Sequence, residues 1–415
     1  MDDVVTQKPP LFLGLSVRFL WAFLLFPLTA AAGDGLHLPP VTADERVEYL
    51  RRARVWEPTD VSSKDLYNGP KGKLKLAVDQ EIVCDFVPKP LKGWSEKFLC
   101  RMKDGTIFKV KYIAGDRFKE VYGEVLGTRL FWALGFYADR MLPVRVTCHG
   151  CPKTPWKYVN ARKNKHQLDE QGRIRSLPPE AEIGTYTFDP AALEEKLDAE
   201  PIEEHEDQGW SWSSLQLVDD KLGGATKAEI DAFKLLNAFV QNADNSAEQN
   251  ALACPRDELA KNADGTVTCR RPILYVDDLG AVFGKGGLTT AYAGRVDYEG
   301  WKKRPVWVSR GSCKARLAPI GGIFQRTTLR DPVISEGGRS LLARQLEHLS
   351  DAQIADLFRA ARIEKLHQTV SDGASGPREV TLDDWVELFK QKRAEITEHP
   401  GCPRPPVAEA SGDGP

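Results

Sequence analysis

Hydrophobic and polar positions alternate at short period through the first part of the chain and shift to a longer period later. Glu81 to Phe86 reads as a strand. Lys97 to Met102 and Thr106 to Ile113 flank Asp104-Gly105, a dipeptide that closes tight hairpins. In the last of these strands Phe108, Val110 and Tyr112 face one way, and Lys109 and Lys111 the other. From about Phe118 to Leu134 the spacing becomes helical. Tyr122, Leu126, Leu130 and Leu134 recur every four residues and predict a buried stripe, with Glu120 and Glu124 one turn apart on another face. Leu142 to Thr147 returns as a strand. Later, Thr226-x-x-Glu229 is a capping box opening a helix with Ile230, Phe233, Leu236 and Val240 on its core side, running to about Gln241. Pro272 to Val276 is a short apolar strand. Ser350-x-x-Gln353 caps a further helix (Ile354, Leu357, Phe358), and another begins near Thr381. Strands dominate early and helices from residue 210 onward, the distribution of an α+β protein.

These elements divide the chain. Residues 33–77 are a polar, Pro-containing N-terminal extension around one helical stretch, Ala43 to Val55. Residues 78–152 are strand-rich. Residues 153–209 break the pattern, basic first (Lys153, Lys157, Arg162, Lys163, Lys165) and acidic later (Glu194, Glu195, Glu203, Glu204, Glu206). They read as a long charged insertion or connection with solvated faces. Residues 210–398 are helical. The tail, 399–415, is rich in Pro, Gly and Ala and is expected to be disordered. No internal repeat is visible.

Residues 1–32 read as a secretory signal peptide. A polar stretch carries Lys8 and Arg18, an apolar run extends from Phe19 through Leu28, and Ala30 and Ala32 supply small-x-small before a cut after Ala32. The alternative is an uncleaved anchor, since Leu11 to Ala32 is mostly apolar. Arg18 splits that stretch and leaves about 14 apolar residues, short of the ~20 that a span needs. No cysteine follows the cut, which argues against a lipoprotein. The expectation is export to the periplasm or extracellular space, with no stable membrane anchor after cleavage.

Export changes the meaning of the cysteines. All eight lie after the leader, and an even count in an exported chain favours disulfides. Cys84 and Cys100 sit in neighbouring strands, and Cys254 and Cys269 bracket a polar loop that a bridge could close. Cys148-His-Gly-Cys151 is a CxxC without the trailing His of haem attachment and without a second CxxC for zinc. A structural bond or free thiols is one reading of it, and a redox or metal role the other. The formal net charge of -2 offers no electrostatic case for nucleic acid as a partner.

The order of parts points to a chemistry. A strand hairpin with a lysine is followed by a helix with a glutamate, then a strand, then a helix ending in a polar loop, then a short strand ending in Asp277-Asp278-Leu279-Gly280. Phosphoryl transfer needs such parts: a strand lysine on the nucleotide phosphates held by a helix glutamate, a loop aspartate for the acceptor hydroxyl, and a loop amide and second aspartate for magnesium. Phe108-Lys109-Val110-Lys111 resembles the V-A-I-K strand, with Lys111 in the place of the lysine and Lys109 on the same face. Glu124 is the helix partner, with Glu120 in reserve. Asn242-Ala-Asp244-Asn245-Ser-Ala-Glu-Gln249-Asn250 resembles a catalytic loop, and Asp278-Leu279-Gly280 the D-F-G turn, with about 27 residues between them.

The chain therefore resembles the atypical branch of the protein-kinase-like superfamily: HipA-type kinases, phosphatidylinositol kinases and CotH-type secreted kinases, whose loops carry Asn-x-Asp as Asn242-x-Asp244 does here. The match spans roughly residues 80 to 290. It implies a two-lobed fold, β-rich N-lobe and helical C-lobe, with ATP and magnesium or manganese between them. It also implies catalytic roles for Asp244, Lys111 and Glu124, metal binding by Asp278, and an acceptor that is a protein, lipid or small molecule. Two departures bear on activity. Five residues after the loop aspartate, where the family carries a metal-binding amide, stands Gln249, with Asn250 one later. No glycine-rich loop precedes Lys111, and Gly93 is the only glycine where one would lie. These departures motivate an alternative, a catalytically inactive, pseudokinase-like binding or scaffold protein. A third reading is an unrelated exported α+β protein stapled by disulfides. H-E-x-x-H, G-x-S-x-G and Walker motifs are absent. Trp210 and Trp212 read as packing residues, the alternative being a stacking platform for a sugar or base.

Overall fold

The computed structural model describes residues 35–113, 119–162, 174, 177, 181–206, 208–284, 296–319, 328–371 and 376–402. The expected leader and the tail beyond 402 lie outside the described residues. Among them, no helix is long and apolar enough to cross a membrane.

The chain opens on α1 (Ala43–Arg51), started by a Thr42–Glu45 capping box. Three strands follow: β1 (Gln80–Val87), β2 (Lys97–Arg101) and β3 (Ile107–Tyr112). Each alternates as the sequence predicts. Ile82, Cys84, Phe98, Cys100, Phe108, Val110 and Tyr112 point inward and share one core. Helix α2 (Glu120–Ala133) comes next, then strand β4 (Arg140–Pro152), the short helix α3 (Pro155–Val159), and β5 (Ile183–Glu195).

The five strands close into a barrel in the order β1-β2-β3-β5-β4. Only the β1–β4 pair is parallel. Phe188 of β5 completes the barrel core against Phe98 and Tyr112, with ring centroids 5.0 and 4.8 Å away. This differs from the expected charged insertion at 153–209. That stretch supplies the strand that seals the barrel between β3 and β4. Its alternation is hidden because its buried positions near Pro190 are the small residues Ala191 and Ala192, and because the strand ends in the acidic pair Glu194-Glu195.

Helix α2 also differs from its predicted stripe. Eleven other residues besides Glu124 in this 14-residue helix are buried, Arg129 included. The barrel lies on one side of it. The N-terminal extension crosses it, with the Arg129 guanidinium donating to the carbonyls of Leu66 and Tyr67 at 3.1 and 2.7 Å. A helix enclosed all round needs apolar or small residues on every face.

Beyond the barrel run β6 (Ala199–Pro201), α4 (Lys227–Phe239) behind its Thr226–Glu229 capping box, β7 (Asn250–Pro255), β8 (Leu259–Lys261), β9 (Val267–Cys269) and β10 (Ile273–Val276). The order β10-β7-β6 forms a small antiparallel sheet. Helices α5 (Tyr298–Lys302), α6 (Glu336–Glu347), α7 (Asp351–Ala360) and α8 (Leu382–Thr397) complete the helical region. Trp210 and Trp212 pack edge to face at 5.0 Å and lie over Phe233 of α4, so the pair is core. Arg362, after α7, ties this region to the barrel. Its guanidinium reaches Asp79, Asp189 and the carbonyls of Val144 and Ala191 at 2.7–3.2 Å.

All eight cysteines are paired. Cys84–Cys100 clips β1 to β2, and Cys254–Cys269 holds β7 to β9. Cys148 and Cys151 are bonded to each other within β4, and Cys313–Cys402 joins residues 89 apart. Four disulfides fit an oxidising compartment.

Candidate active site

Lys111 ends the outward face of β3 and looks at α2. Its ammonium is paired with the Glu124 carboxylate, both side chains being almost fully buried at 5% and 2% exposure. Asp278 Oδ2 lies 3.8 Å from the same ammonium and Glu194 Oε2 3.7 Å. Lys109, on the same face, takes the other oxygen of Glu194, with its ammonium 2.8 Å from Oε1. The structure thus separates the two lysines that the strand pattern left equivalent. Glu120 lies one turn from Glu124, where the Ser95 hydroxyl donates to it.

Three backbone couplings bring the loop after α4 to this place. Asn250 pairs with Val276 at the end of the β7–β10 ladder. The amides of Asp277 and Asp278 donate to the Gln249 carbonyl at 2.8 and 3.3 Å. The segment after the turn runs beside the loop, with Ala243 donating to Ala281 and Phe283 to Val240. Within the loop, the Asn245 side chain donates to the Asn242 and Leu329 carbonyls and accepts from the Leu329 amide at 2.7 Å. Trp212 Nε1 caps the Asn245 carbonyl at 2.8 Å. Asp244 is left at the surface of this frame, half-buried, with Gln249 Nε2 at 3.4 Å from its Oδ2.

Gln249 and Asn250 part company. The Gln249 amide turns to Asp244. The Asn250 amide is buried and donates instead to the Trp210 carbonyl at 2.9 Å. Gly93, with φ +100°, lies in the β1–β2 loop beside the Lys97 ammonium, where an added Cβ would stand 2.6 Å from Nζ. Lys111, Glu124 and Asp278 therefore come together with Asp244 and Gln249 close by, Gly93 lies against Lys97, and Asn250 is turned away.

The glycine of the Asp278-Leu279-Gly280 turn sits where a side chain would be crowded. A Cβ there would lie 3.1 Å from Glu120 Cβ and from Glu124 Oε1, and 3.2 Å from Asp278 Oδ1. The helix reciprocates with Gly123 and Gly127, one turn apart. A Cβ on Gly123 would collide with the Gly280 carbonyl, and one on Gly127 would come within 2.7 Å of Leu279 Cβ. The small-residue face of α2 lets the turn, and hence Asp278, approach Glu124.

The charges explain one another. Burial opposes the Lys111 ammonium, yet Asp278, Glu124 and Glu194 hold it well above the usual lysine range. Glu194 is likewise opposed by burial and held well below its usual value by Lys111, Lys196 and Lys109. Asp278 stays ionised because Lys111 and the Gly280 amide, donating at 3.0 Å, outweigh burial. Among the described residues no cation lies within 4.0 Å of Asp244. Burial, then the charges of Asp278 and Glu248, push its carboxyl up to about 7. Burial and Asp278 push Glu120 to about 7 as well.

Glu194, Lys97, Lys196 and Asp139 were not signalled by the sequence. Lys196 bridges Asp139, Glu194 and Asp277 at 2.8–3.0 Å, linking the end of the barrel to the Asp277-Asp278 turn. In sequence, Glu194 belongs to what reads as a solvated acidic run. Only the residue-by-residue alternation of β5 could have shown that it faces Lys109.

No protein-family model matches the chain, and no curated protein does. Among solved structures, the crystal structure of a Helicobacter pylori proinflammatory kinase, CtkA, aligns with 77% of this chain and 96% of that chain, at 8% identity and a TM-score of 0.37. The chain is a mixed α+β protein, and that likeness is too slight to assign it an activity.

Proposed function

We propose that the protein is an exported, kinase-like phosphotransferase that takes ATP with magnesium or manganese and passes the terminal phosphoryl group to a hydroxyl acceptor. In this reading the barrel and the helical region are the two lobes of a kinase-like fold. The observation that carries it is a convergence. Elements more than 100 residues apart in sequence bring a buried Lys111–Glu124 pair, Asp278 at 3.8 Å and the carboxyl of Asp244, which no cation of the described residues approaches within 4.0 Å, to one place.

The donors suit a divalent cation. The carboxyl groups of Glu120, Glu124 and Asp244 all lie within electrostatic reach of Asp278. Carboxylate and amide oxygens are the ligands that hard cations take. Asp278 and the side-chain carbonyl of Gln249 would hold the ion, and when bound it supplies charge neutralisation on the phosphates. Lys111 grips the phosphates, and Glu124 orients Lys111. Asp244 accepts the proton of the acceptor hydroxyl. The acceptor oxygen then bonds to the γ-phosphorus as the bond to the β–γ bridging oxygen breaks, leaving its electron pair on ADP.

The test uses the disulfide-intact protein with γ-labelled ATP and magnesium or manganese. Metal-dependent nucleotide stabilisation and label transfer are expected, with transfer lost in Asp244→Asn and Asp278→Asn. Neither a thermal shift nor transfer would overturn the reading. Nucleotide binding without transfer would favour the binding or scaffold protein that Gln249, in the place of a metal-binding asparagine, suggests. Because ATP is scarce outside the cytoplasm, the same assay should include other phosphoryl donors.

A further inference from the structure

A nucleotide triphosphate brings about four negative charges into a site, and a glycine-rich loop normally meets them with backbone amides. Gly93 is the only glycine in the β1–β2 connection, residues 88–96. Something else must face the phosphates if the phosphotransferase reading holds, and the present inference rests on that reading. The β2–β3 ladder supplies a group. Lys97 stands directly opposite Lys111 in register, so the two side chains leave the same face of the barrel side by side.

The surroundings of Lys97 are those of a cation without its counter-ion. Among the described residues no carboxylate lies within 4.0 Å of its ammonium. Its polar neighbour is the Ser95 hydroxyl at 3.5 Å, and its apolar one the Trp156 ring, with the centroid at 5.7 Å. Lys109, Lys111 and Lys196 each have carboxylates that close. Lys97 feels Lys111, Lys109, Asp278 and Glu194, all groups of the site, and burial and Lys111 lower it to about 8. An anion arriving there would relieve the repulsion between two neighbouring ammonium groups. The loop backbone already passes over it, because Gly93 has no Cβ to block Nζ. A solvated surface lysine would show neither the burial nor this loop closed upon it.

We propose that Lys97 is a second phosphate-binding cation which, with Lys111, takes the charge of the nucleotide phosphates that a glycine-rich loop would otherwise cradle. The test measures ATP and adenosine affinity, the latter by competition, for wild type, Lys97→Met and Lys97→Arg in the presence of magnesium. Lys97→Met should weaken ATP about tenfold or more and leave adenosine unchanged, while Lys97→Arg should stay within about threefold of wild type. Without nucleotide, Lys97→Met should melt no lower than wild type, because it removes a desolvated charge that Lys111 repels. Equal ATP affinity in Lys97→Met and wild type would overturn the proposal, as would equal losses for ATP and adenosine, which mark a structural role. If wild type binds no nucleotide, the phosphotransferase reading falls and the role of Lys97 falls with it. If wild type binds and Lys97→Met binds equally, only the role of Lys97 falls.

Discussion

Asp244 shows what a single carboxyl costs when burial and like charges surround it. Its carboxyl is half-buried, its nearest polar neighbour is the Gln249 amide at 3.4 Å, and the charges around it are Asp278 and Glu248. With a folded-state value of about 7, against 3.8 for the ordinary group, the folded chain holds a proton that the unfolded chain has lost throughout that window. Stability therefore falls as pH rises from about 4 to 7, and the deficit stays in place above it. In metal-free, nucleotide-free protein, Asp244→Asn should raise stability by about 1–3 kcal/mol at pH 8, with the gain shrinking towards pH 4. Urea denaturation at the two pH values checks this. A variant less stable than wild type at pH 8 would show that the charge is compensated. At this scale the sequence was informative about residue types and silent about partners. Lys109 and Lys111 are equivalent by alternation, and the choice between them needed Glu194, a residue from a strand that the acidic composition of its end concealed.

Helix α2 and the turn at Asp278 form a pair of elements that need each other. Glycine inside a helix is ordinarily a weakness, and alanine there is worth about 1 kcal/mol. At Gly123 the sign should reverse. A methyl group would meet the carbonyl of Gly280, which is backbone and cannot swing aside. Gly123→Ala is expected to lose about 1–3 kcal/mol and, under the proposed phosphotransferase function, to weaken nucleotide binding as Asp278 is pushed from Glu124. Denaturation midpoints and the thermal shift with nucleotide measure the two effects, and a variant more stable than wild type would contradict the close packing. Capping residues made several elements legible. The boxes at Thr226–Glu229, Ser350–Gln353 and Thr381–Asp384 each start a helix, since cap chemistry is local. The burial of α2 on every side was not legible, because a four-residue stripe reports one buried face and says nothing of what covers the others.

Over the whole molecule, covalent and ionic ties join parts that are distant in sequence. Arg362 bolts the region after α7 to β4 and β5, and the Cys313–Cys402 bond spans 89 residues. Chain-entropy arguments scale the effect of a disulfide with the loop it closes. Removing Cys313–Cys402 as a double serine variant should cost about 4–5 kcal/mol, against about 2 for Cys148–Cys151 with its separation of 3. Guanidinium denaturation of both variants tests the order, and a larger loss at Cys148–Cys151 would mean that its role is local packing in the barrel. Strand alternation, helix starts, the even cysteine count and the order of lysine, glutamate, loop and turn all follow from interactions between residues near in sequence, so the chain alone determined them. The barrel closed by β5, the different partners of Lys111 and Lys109 and of Gln249 and Asn250, and the meeting of Glu124 with Asp278 depend on contacts between distant segments. Only the tertiary structure decided those, because which side chains face each other across strands and helices is set by packing rather than by local pattern.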